Sequence, residues 1–560
     1  MKPMHRTRGS RAEALTPGPM ASAAVAPGLQ AWTLRAVQVD RLLASAVAVG
    51  CVLRIVQYAA NRSLWLDESM LALNILDRPV TGLTGRLSFD QAAPPGFLVI
   101  EKCFTELFGS SEYALRLFPL LCGIASLPLF AVLARRSLHR YPALLATLLF
   151  ACATSPVYYA SEVKQYSGDV AAALTLLLLG AVLSRGDITA RKASAVAVLG
   201  VLAVLVSYPA VFVVGGVACV LAVRAAVRRR WPSHGSVAAL GLWLAASLLV
   251  VIASRHTAAR VEELFNADTR AYAKPTPSSF LPWLRELPAQ LAQNIGFGAL
   301  GKLHWAAVAL AVVGAVSLGT GRRRLYAGFF AGALALPLLA SALRRYPIAE
   351  RTVLFLVPVA IILLAEGVAV VAGGIRNVAS RRVAATSLAV LVLAVPGWHA
   401  VERLVHPLMR EEMKPALTHI RDRWQPGDTL YASDVTQFAL RYYLECECFS
   451  PARGQGNTAW RFRRTPDRSR IQTNALRSMP PQFVVGRAPA GNLQTYVREV
   501  AALRGRGRVW LLYTHVGDAT ELSFLRHELP RDLERIGRRL DAFTAVGATV
   551  YLYDLRRPAR

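Results

Sequence analysis

The chain has 560 residues, of which 54% are apolar and 18% charged, and its mean hydropathy is +0.37. These values exclude a disordered protein and an ordinary soluble enzyme, because neither carries so much apolar sequence. The net charge of +29 would suggest nucleic-acid binding if the cations formed one patch. They recur instead as short clusters between apolar runs, so we expect a multi-pass membrane protein with no nucleic-acid partner.

The first 40 residues are basic and rich in Ala and Pro. They lack the apolar stretch of a cleavable signal peptide. We therefore predict a disordered, basic cytoplasmic tail over residues 1–40.

Apolar runs fill most of residues 41–400. A bilayer core about 30 Å thick requires roughly 20 apolar residues per helix. Runs bounded by charged residues, Pro or Gly give eleven candidate spans, give or take about two. They cover 41–60, 113–134, 141–157, 167–183, 192–207, 209–227, 236–253, 303–320, 325–343, 352–373 and 383–400. These runs predict a helical transmembrane domain over residues 41–400, with long loops at 61–112 and 254–302.

The short loops between these spans divide into a basic set and a nearly neutral set. Five loops on one side carry sixteen Lys and Arg residues, and the short loops on the other side carry four. Because Lys and Arg resist translocation, the basic side is predicted to be cytoplasmic. With an odd number of spans, both long loops and everything after residue 400 are expected outside the cytoplasm.

Residues 401–560 alternate between helical and strand-like patterns. The predicted order is helix 411–424, strand 429–433, helix 435–445, strand 482–486, helix 492–504, strand 509–513, helix 521–540 and strand 549–553. This alternation predicts an extracytoplasmic α/β domain with a largely parallel sheet. Residues 450–480 have no clear period and are predicted to form a long loop. Cys446 and Cys448 are too close in sequence for an easy disulfide, so we expect them in the core.

The first long loop begins with two adjacent acids, Asp67 and Glu68. A simple explanation is that they are solvated acids that begin a helix, where carboxylates interact favourably with the helix dipole. The following run, 70–75, is apolar enough to lie along the membrane surface. We therefore predict an interfacial helix with the acids at its N-terminal end, then a second amphipathic helix after the double proline at 94–95.

Several motifs, taken in order, resemble those of one enzyme family. They are Trp65-Leu66-Asp67-Glu68, Pro94-Pro95, Phe108-Gly109 with Glu112 and Leu115-Arg116-Leu117, Ser161-Glu162-Val163-Lys164-Gln165-Tyr166-Ser167, and Tyr346-Pro347 with the run from Glu350 to Pro358. The chain resembles the GT-C membrane glycosyltransferases, close to the bacterial protein O-mannosyltransferases and lipid A sugar transferases. No single motif is specific, but together they cover residues 40–400.

The resemblance implies transfer of a sugar from a polyprenyl-phosphate donor to an acceptor hydroxyl at the outer face of a bacterial inner membrane. The acceptor would be a lipid, a polysaccharide or a protein of the cell envelope. In related enzymes the residue matching Asp67 acts as base and the sugar inverts, and Glu68 is the second candidate catalytic acid. Ala92-Ala93 stands where the lipid A enzymes carry a Lys, so one expected phosphate ligand is missing and an aminoarabinose-type substrate is disfavoured.

Three cations fall at the outer ends of spans and are candidate ligands for the donor phosphate: Lys164, Arg351 and Arg345. The leaving phosphate gains negative charge, which fixed cations would stabilise. Each also has a simpler explanation as an interfacial cation that reaches towards the headgroups.

Glu162, Tyr166 and Asp169 are further candidate substrate-binding residues in the second outer loop. Asp169 could bind a divalent cation, Mg or Mn, with Asp67, accept from a sugar hydroxyl, or pair with Lys164. The acids and histidines show no metal-ligand spacing, so no metal ligands are predicted and the cation is only a possible cofactor. Burial should raise the pKa of Asp67 unless Lys164 or an Arg offsets it.

Two further charges, Arg54 and Glu366, lie inside predicted spans, where we expect structural ion pairs.

Other classes of protein fit parts of the pattern. A transporter would be expected to show inverted repeats and broken polar helices at mid-membrane, and the sequence shows neither. A non-catalytic scaffold or sensor would need no acid pair after the first span. A polymer ligase of similar fold is the nearest enzymatic alternative.

Overall fold

The computed structural model describes residues 27–185, 188–229, 232–266, 271–272, 277–446, 483–486, 493–515 and 522–556. The predicted loop at 450–480 lies outside these ranges, as do residues 1–26 of the predicted tail. The first helix already begins at Pro27, within the segment predicted to be disordered.

Long apolar helices form the membrane part. In the described ranges, nine helices are long and apolar enough to cross a bilayer, and a pair bent by 53° makes up to ten. The nine are Gln38–Ala59, Glu112–Ser137, Tyr166–Leu183, Ala210–Arg228, His234–Ser254, Gly298–Thr320, Arg324–Ala342, Leu354–Gly373 and Val378–Val405, and the bent pair is Arg140–Cys152 with Thr154–Ser161. The predicted helical membrane fold is thus confirmed.

The remaining predicted span, 192–207, corresponds to the helix Ala190–Leu205, which has only 16 residues. It packs against the helix that begins at His234, where the indole N–H of Trp243 donates to the Val196 carbonyl at 3.2 Å. Every predicted apolar run is therefore helical, although this one is short for a span.

In the described part of the chain, neither Arg54 nor Glu366 forms the ion pair expected from the sequence. Within the described residues, Arg54 donates to the carbonyls of Gly50 and Ala151 and has no acidic partner. Ala151 lies in the last turn before the bend at Ala153, so a helix-end carbonyl replaces the expected acid. Glu366 accepts from the Ser317 hydroxyl at 3.0 Å.

The long loops contain helices of their own. The first loop forms Leu66–Asp77, Val80–Leu83 and Pro95–Phe108. Pro95 occupies the first turn, where a missing N–H costs no hydrogen bond. In the second loop, the helix His234–Asn266 continues past the predicted span and is followed by Pro277–Ile295.

The C-terminal domain contains a five-stranded sheet in the order β2-β1-β3-β5-β4. Its strands are β1 Thr429–Ala432, β2 Phe483–Val485, β3 Arg508–Thr514, β4 Arg538–Ala545 and β5 Ala548–Asp554. Its helices are Met413–Arg423, Thr436–Glu445, Leu493–Ala501 and Leu529–Glu534, with a π-helical turn at Phe524–Glu528. Since β1 pairs in parallel with β2 and β3, the predicted α/β domain is present.

The sheet is mixed rather than largely parallel. The helix predicted over 521–540 ends at Glu534, and β4 follows and forms an antiparallel hairpin with β5. The β4 residues are exposed or half-buried along an edge, so the sequence shows no apolar strand pattern there. The expectation for Cys446 was also wrong in part, because this buried residue is disulfide-bonded.

The C-terminal domain shares a core with the first long loop. Apolar side chains of Leu71, Leu73 and Ile75 are at most 1% exposed and pack in one cluster with Leu440 and Trp510. The helix Leu66–Asp77 therefore buries these apolar residues against the C-terminal domain, so they are not available to contact lipid as the sequence suggested.

Polar contacts join the same two parts. The Tyr443 hydroxyl accepts from the Leu64 N–H at 2.7 Å, and Arg441 pairs with Asp77 at 2.9 Å. Lys414 pairs with Glu112 at 2.9 Å. These contacts place the C-terminal domain on the same side of the protein as residues 61–112.

Candidate active site

Asp67 lies in the first turn of the helix Leu66–Asp77 and forms an ion pair with Arg351. The two residues are 284 positions apart in the chain. Their side chains are 21% and 28% exposed, so the pair is reachable from outside. We call the site formed by Asp67, Lys164, Arg351 and His515 the Asp67 cleft.

Two cations determine the charge of Asp67. Burial favours the neutral acid, but Lys164 and Arg351 outweigh it and hold the pKa of Asp67 at about 2. The rise in the pKa of Asp67 that burial alone would cause is therefore offset by Lys164 and Arg351, as the sequence analysis allowed. The carboxylate is ionised at neutral pH and can accept a hydrogen bond or a proton.

Lys164 forms the buried floor of the cleft. Its ammonium donates to the Gln91 side-chain oxygen at 2.6 Å, and burial lowers the pKa of Lys164 despite the nearby Asp67. Gln91 directly precedes Ala92-Ala93, where a Lys is missing relative to the lipid A enzymes. The segment that carries Lys164 thus brings a cation to the segment that lacks its own.

Glu68, the second candidate catalytic acid, points into the protein. Its side chain is fully buried and pairs with Arg116 at 2.7 Å and with Arg62 at 3.5 Å. One oxygen also accepts from the Val163 N–H at 2.8 Å. Burial opposes ionisation, yet the two guanidinium groups lower the pKa of Glu68. This arrangement favours a structural role that ties the first loop to the second.

Glu162 is buried behind Glu68 and Arg62. Its carboxylate accepts no hydrogen bond from the described residues, and its nearest cation is Arg62 at 3.8 Å. Burial and the charge of Glu68 raise the pKa of Glu162 to about 7.

The other candidate residues are scattered around the cleft. Tyr166 is buried close enough to Arg351 to interact with it electrostatically, and its ring contacts that of Tyr159. Asp169 is buried one turn further along the same helix and does not pair with Lys164. Arg345 is exposed in the turn after the helix Arg324–Ala342, outside the cleft.

The C-terminal domain supplies one wall of the cleft, which the sequence did not reveal. His515 stacks on Trp65 with ring centroids 6.1 Å apart, and its Nδ1 lies 2.7 Å from a Glu411 oxygen. The Arg410 guanidinium lies 3.5 Å from the Trp65 ring centroid. In the sequence, the two acids at 411–412 indicated only the start of the predicted helix 411–424.

A cavity of about 270 Å³ adjoins Gln91. Its walls come from the first loop, including Ala93, from Tyr208, and from the middle of the helix His234–Asn266, including Val250. The Tyr208 hydroxyl donates to the Ala93 carbonyl at 2.8 Å. The lining is mostly apolar, and Gln91 connects it to Lys164.

The acids of the region do not assemble into a metal site. In the described part of the chain, no group of three or more His, Cys, Asp or Glu could hold a metal ion. Asp67 is paired with Arg351 and Glu68 with Arg116. The divalent cation considered from the sequence stays a prediction, and the reaction proposed for the site does not require one.

Comparisons with known proteins agree with this architecture. Residues 92–254 match the family model for dolichyl-phosphate-mannose-protein mannosyltransferases. No curated protein matches the chain.

Two solved structures are similar over most of the chain. The oligosaccharyltransferase of Archaeoglobus fulgidus is 12% identical, with a TM-score of 0.51 over 92% of this chain and 74% of that one. ArnT from Cupriavidus metallidurans, bound to undecaprenyl phosphate, is 14% identical, with a TM-score of 0.48 over 91% and 97%.

The likeness to the oligosaccharyltransferase shows a shared fold, that of the GT-C proteins. The family match and this fold together support a GT-C membrane glycosyltransferase. The resemblance found in the sequence is thereby confirmed, as is the enzyme class.

Proposed function

We propose that the protein transfers a sugar from a polyprenyl-phosphate donor to an acceptor hydroxyl at the outer face of the membrane. The observation that carries this proposal is the Asp67 cleft, where an ionised carboxylate stands beside two cations. The family matched by residues 92–254 is named for a dolichyl-phosphate sugar, which is a donor of this chemical class.

Arg351 and Lys164 would hold the donor phosphate. A phosphate arriving at the cleft competes with Asp67 for Arg351, because an Arg–phosphate contact is a strong charge-assisted hydrogen bond. The carboxylate is then released from its ion pair next to the anomeric carbon. The apolar cavity beside Gln91 offers space for part of the lipid.

The reaction would be a single displacement. The acceptor oxygen forms a bond to the anomeric carbon while its O–H bond breaks and the proton passes to Asp67. The bond from the anomeric carbon to the phosphate oxygen breaks, and its electron pair leaves with the lipid phosphate, whose charge Lys164 and Arg351 stabilise. Attack opposite the leaving group inverts the sugar.

Incubating the purified protein with a radiolabelled polyprenyl-phosphate sugar tests this function. A glycosyltransferase releases free lipid phosphate and places the label on an acceptor. A transporter would move the sugar without breaking the bond, and a scaffold or sensor would leave the donor intact. A polymer ligase would use a lipid-linked chain in place of a single sugar.

Single variants test the phosphate site. We expect Lys164→Ala and Arg351→Ala each to weaken binding of undecaprenyl phosphate roughly tenfold or more, since a charge-assisted contact contributes about 1.5–3 kcal/mol. Binding to the purified protein is the measurement. Arg345→Ala, which removes an exposed cation outside the cleft, is the matched control and should bind as the parent does. Parental affinity in both cleft variants would reduce Lys164 and Arg351 to interfacial cations.

Topology is tested separately. We place the protein in a bacterial inner membrane with residues 401–560 outside the cytoplasm, supported by the uneven distribution of Lys and Arg. The disulfide at Cys446 also suits an oxidising compartment. A reporter active only in the cytoplasm, fused after residue 410, should be silent, and the same reporter fused after residue 229 should be active. Strong activity from the first fusion would overturn the orientation.

A further inference from the structure

A histidine–carboxylate pair from the C-terminal domain stands at the mouth of the Asp67 cleft. His515 follows the end of β3, and its Nδ1 lies 2.7 Å from Glu411. The imidazole is close enough to Asp67 for the two side chains to interact electrostatically.

Glu411 fixes both the histidine and the helix that carries Asp67. Its second oxygen accepts from the Leu66 N–H at 3.2 Å, at the first residue of that helix. The carboxylate is buried, so one rigid group orients His515 relative to Asp67. Because a carboxylate can only accept, Nδ1 carries the hydrogen in a neutral imidazole and Nε2 is left as a hydrogen-bond acceptor.

The backbone of His515 is held in the left-handed region, with φ of 56°. A residue other than Gly pays a cost there, and such strain persists where the surrounding structure imposes it. Here the imposed contacts are the Trp65 ring and Glu411.

The histidine is on the open side of the cleft. Its side chain is 30% exposed, comparable to Asp67 and Arg351, whereas Lys164 is 5% exposed at the floor. Lys164 therefore lies deeper in the cleft than Asp67, Arg351 and His515. Two hydrogen-bond acceptors, the Asp67 carboxylate and His515 Nε2, belong to side chains that are partly exposed to solvent.

We propose that His515 binds the acceptor, and that this site selects an acceptor with a second hydrogen-bond donor next to the attacking hydroxyl. The attacking hydroxyl donates to Asp67, and the neighbouring donor group, such as the second hydroxyl of a sugar, bonds to His515 Nε2. The C-terminal domain is then the acceptor-binding part of the active site. This inference rests on the proposed glycosyl transfer.

Small alcohols make the test independent of the natural acceptor. The purified protein is given the labelled polyprenyl-phosphate sugar with ethanol or with ethylene glycol, and glycoside formation is measured for each. The parent should favour the diol about fivefold, the fold-change that corresponds to one hydrogen bond of about 1 kcal/mol. His515→Gly should lose this preference while its binding of undecaprenyl phosphate stays parental.

The substitution suits the backbone, because Gly adopts a positive φ without strain. His515→Asn is a second variant, since Asn also tolerates this region and lacks a group at the Nε2 position. Adding imidazole to His515→Gly should restore part of the preference. His527→Gly, at an exposed histidine of the same domain, is the control and should behave as the parent does.

The outcomes separate the two proposals. A parent that releases no lipid phosphate contradicts the glycosyl transfer itself. A parent that releases lipid phosphate but shows no diol preference overturns only the role of His515. An unchanged preference in both His515 variants overturns it equally.

Discussion

Asp67→Asn should lower sugar transfer by at least roughly 100-fold, because general base catalysis is typically worth about 10²–10⁴ in rate. Asn is nearly isosteric and keeps a hydrogen-bonding oxygen, but it cannot take the acceptor proton. The variant also removes the ionic partner of Arg351, so binding of lipid phosphate should be retained or strengthened. Release of labelled lipid phosphate and binding of undecaprenyl phosphate are the two measurements.

Asp422→Asn is the matched control, since Asp422 is exposed in the helix Met413–Arg423 and, among the residues that the structure describes, pairs only with its neighbour Arg421. It should transfer at the parental rate. An Asp67→Asn protein that binds the lipid and transfers at a near-parental rate would remove Asp67 as the base, and Asp169 would be the next acid to test.

The pH dependence follows from the low pKa of Asp67. A base must be deprotonated, and this group loses its proton near pH 2 in the free protein. The value of kcat/KM reports groups of the free enzyme. We therefore expect that protonation of Asp67 causes no fall in kcat/KM as the pH is lowered from 8 to 5.

The second large effect concerns folding. Glu68→Gln removes the buried anion between Arg116 and Arg62 and leaves both guanidinium groups without their shared partner. Breaking a buried pair in this way costs about 3–5 kcal/mol. We therefore expect a marked drop in the thermal unfolding midpoint of the purified protein.

Glu106→Gln is the control for that effect. Glu106 is 61% exposed and pairs with Lys102 at 3.9 Å, and exposed pairs contribute at most about 1 kcal/mol. Its midpoint should match that of the parent. A Glu68→Gln protein with parental stability but little transfer would show instead that Glu68 takes part in the chemistry.

Local patterns in the sequence account for most of the elements. The apolar runs of residues 41–400 are helical because each can satisfy its own backbone hydrogen bonds within the membrane. Adjacent acids and a double proline also indicated two of the three helices of the first loop. The edge strand β4 was missed because its residues alternate only weakly in burial.

Contacts between distant segments could not be predicted from local sequence patterns. The partner of Asp67 is 284 residues away, and neither Arg351 nor Lys164 could be distinguished from an ordinary interfacial cation by its position. Glu68 and Asp67 are neighbours in sequence, yet they point into different surroundings because consecutive residues of a helix do not share a face. No sequence pattern near His515 predicted its contacts, since Glu411 and Trp65 reach it only in the folded protein.

The anomeric configuration of the product tests the central claim most directly. The purified protein would be given a polyprenyl-phosphate sugar of known configuration, isotope-labelled at the anomeric carbon, with ethylene glycol as acceptor. Nuclear magnetic resonance of the glycoside gives its anomeric configuration, because a glycoside does not interconvert its anomers in water as a free sugar does. Single displacement with Asp67 as base gives a product opposite in configuration to the donor, and a product of the same configuration would contradict it.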